Sequence, residues 1–371
     1  MLLKIDRTGT IEGFQTIFNE VAGADGVQGM MILACDANGF TPEGVDDVLK
    51  TAVLPIFGGI FPELISGKEK LTTGTIIVGL SVAPTVHVIS GLSDEDADYE
   101  EIIDASIPDL GKAQTMIVYV DGLASRIGAL IDSLFNVFGL EINYIGGGAG
   151  SLSFVQKPCL FTNQGLIQDS AVLALMESQS GIGVSHGWES VGRTFKVTEV
   201  ERNVIKTLDW EPAFELYRQV VEEASGQTFG DDNFFDIAKG YPFGINRAGS
   251  ERIVRDPIAV GDDGSLICVG EVPPDSYVDI LTGTTKGLVA AAETAMRRGQ
   301  QAFAGETAAS ALFIDCISRV LFLEDEFSLE LEAVSAPSLP LVGALTLGEI
   351  ANSGDDYLEF YNKTAVIAVF D

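Results

Sequence analysis

The sequence predicts an α/β fold, two mixed α/β domains carrying recurring strand–helix–strand–Gly-turn–strand modules, and three observations predict it. The chain has 371 residues, 46% of them hydrophobic, which suits two cores of ordinary size better than one. Short apolar runs alternate with segments of helical length along it. A phrase also recurs: Leu54-Pro-Ile-Phe-Gly-Gly-Ile60 returns as Leu339-Pro-Leu-Val-Gly-Ala-Leu345, and self-similarity of this kind marks repeated supersecondary units.

The elements follow in order. Met30–Cys35 is an apolar strand, a helix-length segment leads to the glycine phrase with Glu63 after it, and Thr75–Val78 closes the module. Met116–Val120 opens a looser copy, with a helix over 125–138, the stretch Ile142-Asn-Tyr-Ile-Gly-Gly-Gly-Ala-Gly150 as second strand and turn, and Ala171–Leu175 as closing strand. A helix over 212–224 starts at Asp209 with Pro212 in its first turn. Gly261-Asp-Asp-Gly264 turns a hairpin between 258–260 and 265–269. An Ala-rich helix spans 287–301, with Arg297 and Arg298 near its C-terminus. The last copy runs through Ala311–Cys316, the second glycine phrase, Glu349 and Thr364–Ile367.

The glycines at 146–150 raise the question of a phosphate loop. Gly146 and Gly148 supply two positions of a dinucleotide fingerprint, but Ser151 stands at the third, and the next lysine is Lys157. The residues after them alternate with period two instead of opening a helix, so the anion site at a helix N-terminus is missing. They read instead as the inter-strand turn of the repeated module, where backbone passes close to another strand or to a ligand.

The formal charge of −32 repels nucleic acid and anionic membranes, and excludes both as expected partners. No apolar run is long enough to span a bilayer, and no signal peptide precedes Asp6 and Arg7. Cys35, Cys159, Cys268 and Cys316 are scattered without metal-type spacing, as in a reducing cytoplasm. Two histidines, His87 and His186, rule out a site built on several imidazoles, and no metal site is expected.

Six phrases then resemble one family in order and spacing: Gly146-Gly-Gly-Ala-Gly-Ser151, Ser185-His-Gly-Trp188, Ile253-Val-Arg-Asp-Pro257, Asp315-Cys-Ile-Ser-Arg319, Leu347-Gly-Glu-Ile350 and Tyr361-Asn-Lys-Thr364. The set resembles the FIST family (F-box and intracellular signal transduction proteins) from about Met30 to Phe370. The resemblance implies a FIST N-like domain over 1–205 and a FIST C-like domain over 206–371. It also implies a cytoplasmic sensory input protein that binds a small ligand, such as an amino acid or related carboxylate, and acts through a separate partner protein. Some family members bind haem and respond to nitric oxide.

Candidate residues follow from those phrases. Arg319 offers a planar fork for a ligand carboxylate with Cys316 beside it; the alternative is that Arg319 pairs with an internal acid such as Glu349 and Cys316 packs as a small apolar residue. Glu349 suits a ligand ammonium, Asn362 hydrogen-bonds either end of an amino acid, and Gly147 and Gly148 let backbone approach the ligand. His186, between glycines and Trp188, is the candidate axial ligand if haem is bound, against a hydrogen-bonded structural role; no cofactor is otherwise expected. Nothing fixes a catalytic constellation, so the expectation is a binding protein and not an enzyme, with a haem gas sensor and a hydrolase using Cys316 or a carboxylate pair as the alternatives.

Overall fold

The computed structural model describes residues 2–230, 232–247, 252–352 and 357–371. Its architecture is mixed α/β, built from repeated strand–helix modules, and the repeat is longer than the sequence phrase that exposes it. Each copy begins with an outer strand and a helix, then an opening strand, a second helical segment, a middle strand, a hairpin and a closing strand. In the first these are Leu2–Asp6, Ile11–Ala22, Gly29–Cys35, Pro42–Thr51, Ile56–Phe61, the hairpin 63–71, and Thr75–Leu80. The second runs through Thr85–Ser90, Tyr99–Ser106, Thr115–Asp121, Ile127–Phe138, Asn143–Ala149, the hairpin 160–167, and Ser170–Met176. The third starts at Ser180–Ser185 and resumes, after an insertion, with Thr285–Ala302 and Ser310–Cys316. Two short helices then lead to Leu341–Thr346, the paired hairpin strands Glu349–Ala351 and Glu359–Tyr361, and Ala365–Phe370.

Registers confirm the equivalence. Opening and middle strands pair in parallel, with Met30 opposite Ile56, Met116 opposite Tyr144 and Ala311 opposite Leu341. Each opening strand also pairs antiparallel with its closing strand, and the outer strand lies beyond that. Cys35, Asp121 and Cys316 are therefore the same position in three copies, the last residue of the opening strand. The hairpins do not stay with their own copy. Hairpin 63–71 adds to the middle strand of the third sheet, the pair Glu349–Ala351 and Glu359–Tyr361 to that of the second, and 160–167 to that of the first. Each copy thus gives its hairpin to another in a closed cycle, which ties three six-stranded sheets into one body.

Alternation along the opening strands decides the core. Met31 and Leu33, Ile117 and Tyr119, and Leu312 and Ile314 hold equal places and lie in one common cluster. In the second and third copies the intervening residues, such as Val118 and Phe313, pack in separate clusters with helical residues. Met31, Ile117 and Leu312 together line a small cavity of about 110 Å³, so the three opening strands converge there.

The recurring glycines are not at a turn, as the sequence suggests, but in mid-strand. Gly58, Gly146 and Gly343 share one position, and a Cβ on each would stand 1.8, 1.7 and 1.9 Å from the carbonyl oxygens of Ile32, Val118 and Phe313. No side chain fits so close to a neighbouring backbone, and that is what the repeated glycine supplies.

The insertion, from Glu189 to Thr282, carries its own core around Phe195, Leu208, Tyr217 and Phe243. Its strands Glu189–Glu201, Tyr277–Thr282, Phe243–Ile245, Ile253–Val260, Leu266–Val269 and Val204–Leu208 pair in that order. The first also pairs with the last, so the circuit closes. A cut between residues 205 and 206 would pass through one of these strands. The helix expected from Asp209 starts at Ala213 with Pro212 as its cap. Asp209 has φ +49° and instead accepts the backbone N–H of Lys196 at 2.9 Å.

Candidate functional site

A cavity of about 360 Å³ opens where the inserted unit meets the three-sheet body, within the size range of small-ligand pockets. The body supplies the loop after the opening strand of the second copy, the loop after that of the third, and the turn before the last strand. The insertion supplies the two facing strands around Arg255 and Cys268.

Charged groups at the bottom of this cavity join the two parts. Asp256, 1% exposed, accepts Ser318 Oγ at 2.9 Å and the Lys363 ammonium at 3.1 Å, both on Oδ2. Lys363 Nζ also donates to the carbonyl of Lys239 at 2.9 Å. Burial pushes the Asp256 carboxyl up from its ordinary range and Lys363 opposes the shift. The neighbouring Arg255 donates to the carbonyls of Glu271 and Phe360 at 2.7 and 2.9 Å, with Glu359 Oε1 at 3.4 Å.

Two polar groups in this wall are unsatisfied. Asp256 Oδ1 has no hydrogen-bond partner, and neither does Oδ1 or Nδ2 of Asn362, a side chain only 1% exposed. Leaving a buried amide unpaired costs about 1–3 kcal/mol.

Of the residues singled out from sequence, the cavity brings together Cys316 and Asn362. Cys316 is buried, and burial, with the Glu349 carboxyl second, pushes its thiol well above the ordinary range. That makes it a poor nucleophile.

Arg319 is elsewhere, and its expected role as a carboxylate clamp is corrected. It is fully buried, with Nε 2.9 Å from Asp315 Oδ1 and Nη2 2.7 Å from Glu330 Oε1. Its remaining donors meet the carbonyls of His186 at 2.8 Å and Leu288 at 3.0 Å. The fork is consumed in tying one short helix to four other segments, and the internal acids are Asp315 and Glu330, not Glu349.

Glu349 also lies outside the cavity lining. It accepts Thr346 Oγ1 at 3.0 Å and Thr364 N–H at 3.2 Å, and burial pushes its carboxyl up to about 8. Gly147 and Gly148 sit in the middle strand, where Gly147 faces Glu349 across the pairing and a Cβ on it would lie 2.7 Å from the Gly348 carbonyl. Their smoothness admits the hairpin of the third copy, not a ligand.

His186 does not fit axial haem ligation. Its Nδ1 accepts the backbone N–H of Trp188 at 2.9 Å, its carbonyl holds Arg319, and it lines neither cavity described here. His87 lies on the outer strand of the second sheet opposite Leu173.

Sequence reasoning passed over Arg255, Asp256, Ser318 and Lys363. The signal was present: Arg-Asp inside the apolar run Ile253–Val260 is a charge pair on a strand, which is costly unless each charge finds a buried partner.

Comparison with known families supports the same class. The FIST N domain matches residues 31–211 and the FIST C domain residues 213–352, and the chain belongs to the FIST family, whose domains are small-molecule sensory domains. No curated protein matches it. Among the described residues no helix is long and apolar enough to cross a membrane, no group of side chains is arranged to hold a metal ion, and the four cysteines are free and buried.

Proposed function

We propose that this chain is the input element of a sensory system. A small polar-headed metabolite enters the cavity between the inserted unit and the three-sheet body, and a separate protein reads the result. The observation that carries this reading is the buried, unpaired amide of Asn362 in the cavity wall. The position of the cavity supports it too. A ligand there touches the Asp256–Lys363 and Arg255–Phe360 links by which the two parts hold each other, so its binding energy bears directly on how they sit together.

Binding is favoured over catalysis because both thiols in the wall, Cys268 and Cys316, are pushed up by burial and held protonated, and no imidazole lines the cavity. The test is a thermal-shift screen of metabolites against the native protein and Asn362→Leu. The variant is expected to be more stable than the native protein without ligand, because it removes an unpaired amide, and to lose the shift that hits produce. Hits that stabilise Asn362→Leu as much as the native protein would place the ligand elsewhere.

A further inference from the structure

Resting on that reading of the cavity, we infer that its ligand is a small organic cation: a protonated amine on an apolar body, with a neutral hydrogen-bond acceptor close to the amine and no carboxylate. The unpaired atoms set the head group. Asp256 Oδ1 and Asn362 Oδ1 are two acceptors without donors, and Asn362 Nδ2 is one donor without an acceptor. An ammonium group supplies donors to the first two, and a carbonyl or hydroxyl oxygen near it completes the third.

The cations of the wall argue against an anionic head. Arg255 is spent on the carbonyls of Val254, Glu271 and Phe360 and on Glu359. Arg202 sits at the exposed rim, paired with Glu95 at 2.7 Å. Against these two the cavity lining carries Asp132, Asp256, Glu271 and Glu359; with Lys363 on Asp256, Arg247 on Glu359 and Glu95 on Arg202 counted in, five carboxyls face four cations, so the balance favours an ammonium over a carboxylate.

The apolar part of the wall sets the body. Leu123, Ile131, Phe235, Ile258 and Leu347 face the cavity, and Leu152 and Phe154, 39% and 58% exposed, stand beside it partly in water. An apolar ligand body that covers them removes surface the free protein leaves wet.

The experiment is calorimetry on the full chain with two matched series: amino-acid amides with side chains from alanine to phenylalanine, and the corresponding free amino acids. N-acetylated amides, which lack the cation, form a third series. At least one amide is expected to bind ten or more times tighter than its free acid, with the acetylated form silent. Asn362→Asp adds a negative charge without changing shape, and is expected to tighten the amide and weaken the acid. Asp256→Asn is expected to abolish amide binding, and because it also loosens Lys363 it is read only alongside Asn362→Asp.

A free amino acid that binds as tightly as its amide, or an acetylated form that binds, overturns the inference. So does failure of every amide. If another metabolite then shows an Asn362-dependent thermal shift, the cavity stands as the ligand site and only the ligand class is wrong. If no binding responds to Asn362, both fall.

Discussion

Replacing Arg319 tests whether that residue is structural, as its surroundings imply. Arg319, Asp315 and Glu330 are all fully buried, with one guanidinium between two carboxyls. Burial opposes the charge on each. Glu330 and Asp315 more than offset this for Arg319, whose pKa lies above its ordinary value. For Asp315, burial first and Glu330 second drive the carboxyl well above the usual range. Arg319→Met keeps most of the bulk and removes the charge, leaving Glu330 without its cation and two carbonyls without donors.

Breaking a buried pair by removing one partner costs about 3–5 kcal/mol. At roughly 2 cal/mol/K of unfolding entropy per residue, that lowers the melting temperature of a chain this long by about 4–6 °C if it unfolds as one unit. Urea titration of native protein, Arg319→Met and Arg319→Met/Glu330→Gln measures it, and the double variant should recover at least half the loss because the carboxylate that bonds both Nε and Nη2 of Arg319 is removed together with its cation. Lowering the pH should also narrow the gap between Arg319→Met and the native protein, as Glu330 takes up a proton. A single variant within about 1 kcal/mol of the native protein, or a double variant no better than the single, would refute the network.

Three further outcomes are expected. Glu349, with its folded pKa raised to about 8, contributes stability that is fully present below its unfolded value of roughly 4.3 and is lost as pH rises through about 8. Glu349→Gln should therefore flatten the stability profile over that window and be the more stable protein above pH 8; an unchanged profile would show the carboxyl ionised in the fold. Gly58→Ala, Gly146→Ala and Gly343→Ala should each cost about 3 kcal/mol or more, because the new Cβ meets backbone that cannot turn aside, whereas the exposed Gly230→Ala should change stability by less than about 0.5 kcal/mol; tolerance at any of the three would break the equivalence of the copies. Haem added to the protein should give the same absorption spectrum with His186→Ala as with the native chain, and loss of a Soret shift in the variant would restore His186 as a ligand.

Much of the fold was legible because its signals are local. The phrases at 54–60 and 339–345 encode the same backbone crowding, so the glycine marks equivalent residues wherever it appears. The outer strands and their helices were missed because their sequences share no such constraint: Thr85–Ser90 and Leu2–Asp6 are both half-buried, while the third copy is split by the insertion. The hairpin exchange could not be read at all, since period and composition say which residues form a hairpin but not whose sheet it completes.

The site was half legible for the same reason. Asn362 and Cys316 stood in phrases that drew notice. Asp256 stood in such a phrase too, Ile253–Pro257, but it belongs to a unit folded between two elements of the third copy, and only the three-dimensional junction brings it to the same cavity.

That junction also explains why three equivalent positions have diverged. By register, Asn362 corresponds to Gln168 and Thr72, and Lys363 to Asp169 and Thr73. Lys363 and Asp169 keep the same unusual backbone, with φ +53° and +47°. At the junction where the hairpin of the second copy joins the first, the chain closes on itself. Lys157 pairs with Asp36, Ser151 Oγ donates to Asp36 at 2.6 Å, and Asp121 accepts Gln156 Nε2 and the N–H of Asp169. Asp121, the counterpart of Cys316, thus satisfies its surroundings with groups of its own copy. At the junction with the cavity the counterpart is a thiol, which offers little as a partner, and the polar contacts come from the inserted unit through Asp256 and Arg255. The insertion reaches Lys363 and Ser318 but leaves Asn362 unpaired. Cysteine also stands at this position in the first copy, as Cys35, so what sets the third copy's joint apart is the separately folded unit that covers it and leaves the Asn362 amide for the proposed ligand to complete.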